Sequence, residues 1–147
     1  MSIRLVLAEH PSIRQRLQTL VQEHEGWEVV AEASDGREAV RLVEVHKPDI
    51  AVVGLAMPLL NGIETTRRIV ERSPRTRVIV LSTYSADVYA NQTHRAGALG
   101  FVLTDSADLD LPVAIEQVSL GRTFTSPRPS WTTSAHTLSP LGGAADN

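Results

Sequence analysis

The sequence predicts one α/β domain with a doubly wound, parallel, five-stranded sheet and helices on both faces. Short apolar runs alternate with longer segments of helical spacing from Ile3 to about Leu120. The apolar runs consist of consecutive apolar residues, which is typical of parallel strands buried on both faces. With 147 residues, 42% of them hydrophobic, the chain suffices for one domain with its own core and leaves no room for a second.

The first three elements are marked by changes in apolar spacing. The consecutive apolar residues Leu5–Leu7 predict the first strand. Apolar residues then recur at i, i+4, i+7 and i+8 over Ile13–Val21, which predicts a helix that Pro11 precedes and Gly26 follows. The second strand is predicted at Trp27–Ala33.

The turn Ser34–Gly36 opens the second predicted helix, with Asp35 as a turn or cap residue. Lys47–Pro48 ends this helix because the residue before a proline disfavours helical backbone. The buried run Ile50–Val53 predicts the third strand. A loop rich in Gly, Pro and Asn follows, and the third helix is predicted at Ile63–Arg72.

The remaining strands and helices are predicted from Val78 onward. Val78–Leu81 is the fourth predicted strand, and the poorly amphipathic segment Ala86–Ala96 is the fourth helix. Phe101–Leu103 predicts the fifth strand. Apolar spacing over Leu111–Val118 predicts the fifth helix, which Gly121 terminates.

Right-handed crossovers with helices on both faces give the flavodoxin-like strand order 2-1-3-4-5. Functional sites in such sheets lie at the carboxyl ends of the strands. The residues at these ends form the candidate site: Ala8, Glu9, Gly54, Ser82 and Thr104.

Composition limits the classes of function. Fourteen Lys and Arg residues against 17 Asp and Glu give a net charge of -3, so no nucleic-acid binding by this chain alone is expected. The absence of cysteine removes thiolate metal sites and cysteine nucleophiles. No apolar run has the length of a membrane helix and no signal-peptide pattern precedes Ile3, which predicts a cytoplasmic protein without membrane contact.

Several segments in one order carry a family resemblance: Ala8–Pro11 with Arg14, Pro48–Ile50, Met57–Gly62, Arg95–Phe101 and Gly121–Pro127. They resemble the receiver domain of bacterial two-component response regulators, most closely those of LuxR-type transcription factors. The resemblance covers about residues 3–127, and we expect a receiver-like domain at 1–125. Residues 126–147 are rich in Pro, Ser, Thr, Gly and Ala, which predicts a disordered tail or linker remnant.

The resemblance implies a set of roles at the carboxyl edge. In the family, an aspartate at the end of the third strand accepts a phosphoryl group, with magnesium held by it and by an acidic pair after the first strand. A lysine after the fifth strand contacts the phosphoryl group, and a Ser or Thr after the fourth strand reports it. This sequence departs from the pattern by having Gly54, Ala8 and Thr104 at the acceptor, first acidic and lysine positions. Ser82 matches its role, and Phe101 falls on the switch aromatic position.

These departures predict a degenerate phosphorylation pocket with no catalytic residue, metal or cofactor. Glycine has no side chain for acyl-phosphate formation, and Glu9 is the one carboxylate left from the family's three. Glu9 is either a solvated remnant or a half-buried acid with a raised pKa that hydrogen-bonds Ser82 or Thr104. Asp105 and Asp49 are not expected to substitute as acceptors, since Asp105 reads as a loop cap and Asp49 lies at the wrong end of its strand.

The leading hypothesis is a non-enzymatic, aspartate-less receiver that works by protein contacts. The resemblance implies that its partners, another protein or a second copy, bind through the fourth helix, fifth strand and fifth helix or through helices 1 and 5. A small molecule entering the vacated pocket is a further expectation. One alternative is a truncated transcription regulator, because Leu138–Pro140 resembles the start of a LuxR-type helix-turn-helix domain. Another alternative is a conventional phosphorelay receiver with a non-standard acceptor.

Overall fold

The computed structural model describes residues 2–127, which form a parallel six-stranded sheet in the order β2-β1-β3-β4-β5-β6. The strands are β1 Ile3–Ala8, β2 Trp27–Ala33, β3 Ile50–Gly54, β4 Arg77–Ser82, β5 Gly100–Leu103 and β6 Phe124–Thr125. The helices are α1 Pro11–Gln22, α2 Gly36–His46, α3 Gly62–Arg72, α4 Ala86–Ala96 and α5 Ala107–Ser119, and a short 3-10 helix at Thr104–Ser106 precedes α5.

Two layers of helices bury the two faces of the sheet, which confirms the doubly wound architecture. Along β1, the buried side chains alternate between the two layers, so that Val6 belongs to the core cluster beneath α2, α3 and α4 and Leu7 belongs to the cluster beneath α1 and α5. The same alternation along β3 places Val53 in the first layer and Val52 in the second. Because both faces are covered, every residue of β3 is buried.

Local hydrogen bonds explain where two of the helices begin. Asp35 precedes α2, and its carboxylate accepts a hydrogen bond from the backbone N–H of Glu38 at 2.8 Å. Asn61 precedes α3 and accepts from the N–H of Glu64 at 2.9 Å. The predicted cap at Asp35 is therefore confirmed.

The sixth strand is a correction to the five-stranded prediction. The N–H of Phe124 donates to Leu99 O at 3.0 Å and that of Ser126 donates to Phe101 O at 2.8 Å, so β6 runs parallel along β5. Ser126, assigned to the tail by its sequence context, is 3% exposed and packs against the domain. A two-residue strand is too short to give an apolar pattern, which is why the sequence did not predict it. The predicted tail from residue 128 onward lies outside the described residues.

Within residues 2–127, none of the helices combines the length and hydrophobicity that crossing a membrane requires.

Candidate functional site

The parallel register brings the predicted site residues to one edge of the sheet. Ala8, the last residue of β1, pairs with Val53, one residue before the end of β3. Gly54 pairs with Leu81, one residue before the end of β4. Ser82 in turn pairs with Leu103, directly before Thr104. The expected site residues Ala8, Glu9, Gly54, Ser82 and Thr104 are all buried.

The Glu9 carboxyl group fills the space above Gly54. An ideal Cβ placed on Gly54 would lie 2.6 Å from Cδ of Glu9 and 2.8 Å from its Oε1, and closer still to Oε2. Nonbonded atoms do not approach a Cβ this closely. The side chain of Glu9 therefore stands where a side chain of residue 54 would stand.

Glu9 is an enclosed acid rather than a solvated remnant. Its residue is 5% exposed, and its Oε1 accepts a hydrogen bond from the backbone N–H of His10 at 2.7 Å. Burial raises the pKa of the Glu9 carboxyl above its ordinary value of 4.5, and the hydrogen bond and charge of His10 offset this only in part. The sequence left open whether a half-buried Glu9 would hydrogen-bond Ser82 or Thr104; in the structure its carboxyl group turns toward Gly54 and His10 instead.

The Ser82 side chain forms hydrogen bonds with the loop between β4 and α4. Its hydroxyl donates to the carbonyl of Tyr84 at 2.9 Å and accepts from the N–H of Tyr84 at 2.8 Å. Phe101, at the expected switch position, is fully buried in the layer of α2, α3 and α4. The hydroxyl at the end of β4 therefore stabilises the turn into α4 in this arrangement.

Arg16 is a cation at this edge that the sequence reasoning missed. Its Nη2 donates to the carbonyl of Thr104 at 3.0 Å, and its Nε lies 3.4 Å from the Asp108 carboxylate. The side chain of Arg16 is 45% exposed. Since 88 residues separate Arg16 from Thr104, only the packing of α1 beside α5 brings them together.

Arg14, part of the family resemblance, ties the end of β2 to α1. Its guanidinium donates to Glu32 at 2.8 Å, to the carbonyl of Ala33 at 2.9 Å and to the hydroxyl of Ser34 at 2.8 Å. Its contact with Glu9 is with the backbone carbonyl, at 3.4 Å. In the described part of the chain, neither arginine forms an ion pair with the Glu9 carboxylate.

A magnesium ion does not fit the donor set at this edge. Mg²⁺ favours near-octahedral oxygen coordination that includes carboxylates. Ala8 and Gly54 supply no side-chain oxygen, and the Glu9 carboxyl group is packed against the Gly54 backbone. Among residues 2–127, no three His, Asp or Glu side chains are grouped as metal ligands.

The other acidic candidates lie away from Gly54. Asp49 precedes β3 at the opposite edge of the sheet, where it accepts a hydrogen bond from the N–H of Arg4 at 2.8 Å. A cavity of about 530 Å³ lies at that edge and is lined in part by Asp49, Arg75 and Arg77. Asp105 is exposed on the 3-10 helix. Neither carboxylate shares the position of residue 54.

The fold and this edge together define a flavodoxin-like α/β module. A family model described as the response regulator receiver domain matches residues 5–116. The chain therefore belongs to the response regulator receiver domain family, whose members are signalling modules that interact with other proteins. The predicted relationship to LuxR-type response regulators is confirmed by the relatives that follow.

Two relatives illustrate the relationship. The transcriptional regulatory protein DegU of Brevibacillus brevis is 31% identical over 124 residues, covering 84% of this chain and 52% of DegU. The oxygen regulatory protein NreC of Staphylococcus haemolyticus is 34% identical over 124 residues, covering 83% of this chain and 57% of NreC. This chain thus spans little more than half the length of either relative.

Solved structures agree with the family assignment. A LuxR-family two-component response regulator from Aurantimonas sp. SI85-9A1 superposes with a TM-score of 0.83 at 32% identity, covering 95% of this chain and all of that one. The receiver domain of NarL from Mycobacterium tuberculosis gives a TM-score of 0.78 at 29% identity, covering 82% of this chain and 98% of that one.

Proposed function

We propose that this chain is an atypical receiver module that acts in signal transduction and transcription regulation through protein contacts, without aspartyl phosphorylation. The observation that carries the proposal is Gly54 at the end of β3, with the Glu9 carboxyl group packed over it. Acyl-phosphate formation needs a carboxylate nucleophile at the acceptor position, and a glycine offers none.

The remaining changes in the pocket support the same function. Ala8 and Thr104 occupy the positions of an acid and a lysine in the family pattern. A phosphoryl group needs a cation to offset its charge. The two arginines that contact this edge are engaged elsewhere, since Arg16 binds the Thr104 carbonyl and Asp108 and Arg14 pairs with Glu32. The pocket thus lacks the nucleophile and its supporting charges together.

Protein contacts are supported by exposed apolar side chains on α5 and directly after it. Leu109, Val113 and Leu120 are 77%, 44% and 62% exposed. Large apolar side chains grouped on a surface are typical of interaction sites. Because β6 lies along β5 between α4 and α5, a partner or second copy on this face contacts β6 instead of the edge of β5. A contact through α1 and α5 is the alternative, with Arg16 and Asp108 at its margin.

A small-molecule ligand in the vacated pocket has no support from the geometry, because the Glu9 side chain fills the space above Gly54. The cytoplasmic location stays a prediction.

The decisive experiment exposes the protein to acetyl phosphate and magnesium and records its intact mass. We expect no phosphoryl increment. The matched control is a variant that restores the family pattern at four positions, namely Ala8→Asp, Glu9→Asp, Gly54→Asp and Thr104→Lys, and we expect it to gain the increment. A stable phosphoryl adduct on the unaltered chain would refute the proposal and favour a receiver with a non-standard acceptor.

A second candidate function is the receiver part of a DNA-binding transcription regulator. It is favoured by relatives such as the transcriptional regulatory protein DegU, of which the chain spans 52%. On this proposal, a helix-turn-helix domain lies outside this sequence, and the described residues alone do not retard promoter DNA in a gel. Retardation by this chain would contradict that expectation.

A further inference from the structure

We propose that the Glu9 carboxyl group is an internal occupant of the acceptor position, which closes this position to any side chain at residue 54. This inference rests on the proposed function and specifies which group takes the place of the missing acceptor side chain. It makes Glu9 and Gly54 a dependent pair, in which the glycine is required by the position of the acid.

The obstruction at Gly54 comes from one side chain. The three heavy atoms nearest to an ideal Cβ at this position are Oε2, Cδ and Oε1 of Glu9. At Gly62 the corresponding atoms are backbone atoms of Gly54 and Leu55. A side chain at residue 54 is therefore excluded by a group that a single substitution can remove, whereas one at residue 62 is excluded by the chain itself.

Glu9 is held in this position at three points. Its backbone N–H donates to the Ala33 carbonyl at 3.1 Å, which ties it to the end of β2. Its carbonyl accepts from Arg14 at 3.4 Å, and its carboxylate accepts from the N–H of His10 at 2.7 Å. Moving the carboxyl group away from Gly54 breaks the shortest of these bonds, so the occupied arrangement is stable.

With Glu9 in the acceptor position, the Ser82 hydroxyl at the end of β4 has no phosphoryl group to contact. The Ser82 hydroxyl makes both of its hydrogen bonds to Tyr84, at 2.9 Å and 2.8 Å.

A double-mutant cycle tests the dependence of Gly54 on Glu9. In the unaltered protein, Gly54→Ala should raise the unfolding equilibrium constant about tenfold, because the added methyl group overpacks against the carboxyl group. In a Glu9→Ala background the same substitution should change this constant by less than about threefold. Urea unfolding monitored by far-UV circular dichroism measures all four proteins.

Two control substitutions distinguish the volume of the Glu9 side chain from its charge and from a general intolerance of the site to alanine. Glu9→Gln keeps the volume of the side chain and removes its charge, so the cost of Gly54→Ala should persist in that background. Gly62→Ala meets backbone atoms, so its cost should be the same with Glu9 and with Glu9→Ala. Equal costs of Gly54→Ala in the Glu9 and Glu9→Ala backgrounds would overturn the inference.

A measurement on the unaltered protein does not depend on any variant folding. The γ protons of Glu9 should show nuclear Overhauser effects to the α protons of Gly54 in solution. Their absence overturns the inference, whereas their presence supports it. Neither this measurement nor the cycle involves a phosphodonor, so a phosphoryl adduct on the unaltered chain refutes the proposed function separately.

Discussion

Ser126 donates a hydrogen bond from its hydroxyl to Oδ2 of Asp110 at 2.7 Å and so ties the end of β6 to α5. The same hydroxyl accepts from the backbone N–H of Leu103 at 2.9 Å. Asp110 also accepts from Ser106 at 2.9 Å. The Ser126 side chain thus links the last residue of β5 and the segment that follows β6 to helix α5.

Replacing Ser126 by alanine should destabilise the domain by about 1 to 3 kcal/mol, because the buried N–H of Leu103 loses its acceptor. Urea unfolding measures the loss, and faster amide exchange at Leu103 should accompany it. The control is Thr125→Ala, since the exposed Thr125 makes only a 3.4 Å contact with His94. Equal stability of the two variants would contradict the assigned role of Ser126.

Glu9→Gln should stabilise the domain at neutral pH and flatten the dependence of its stability on pH. The pKa of Glu9 is raised in the folded state above 4.5, so the unfolded chain releases this proton first as pH rises. The native chain then binds more protons, and its stability falls between 4.5 and the folded pKa. The stability that the protonated Glu9 carboxyl group contributes is fully present below pH 4.5 and is lost above the folded-state pKa. Unfolding free energies measured across this range should show the fall in the unaltered protein only, and parallel curves would disprove the assignment.

Gly54→Asp alone should not restore phosphoryl acceptance. The new side chain meets the Glu9 carboxyl group. In addition, Ala8 and Thr104 still supply neither the carboxylate nor the ammonium group of the family pattern. Incubation with acetyl phosphate and magnesium, followed by intact-mass measurement, checks this expectation. A stable phosphoryl increment on this variant would refute our account of the pocket.

Leu109→Ser should weaken association with a partner or second copy while changing stability by no more than about 0.5 kcal/mol. Leu109 is 77% exposed, so its replacement removes apolar contact area without opening the core. Sedimentation over a range of concentrations measures self-association. The matched control is Val45→Ser on α2, which is 65% exposed on another helix. If only the substitution at Val45 weakened association, the α5 surface would be excluded.

Much of the fold could be predicted because its determinants are local. The residues Trp27–Ala33 and Ala86–Ala96 form the strand and helix that the sequence predicted, with the same bounds. Asp35 caps its helix through a bond to a residue three positions later. Parallel register then requires the strand ends to meet, which is why the sequence predicts that Ala8, Gly54 and Ser82 lie at one edge of the sheet.

The features that could not be predicted depend on contacts between distant segments. The bond between Arg16 and Thr104 spans 88 residues, and that between Ser126 and Leu103 spans 23. The orientation of Glu9 was undecided for a different reason. A carboxyl group at the end of β1 can turn toward solvent or toward its neighbours, and only the empty space above Gly54 selects between them.

Because β6 runs in the same direction as β5, the backbone departs from the described domain at the sheet edge that carries Gly54 and Thr104. Leu103, whose N–H is held by Ser126, is the immediate neighbour of Thr104. A shift of Thr104 therefore reaches the departing backbone through one peptide unit and one hydrogen bond. The candidate site is thereby coupled to residues 124–126 through the backbone of Leu103 and its hydrogen bond to Ser126.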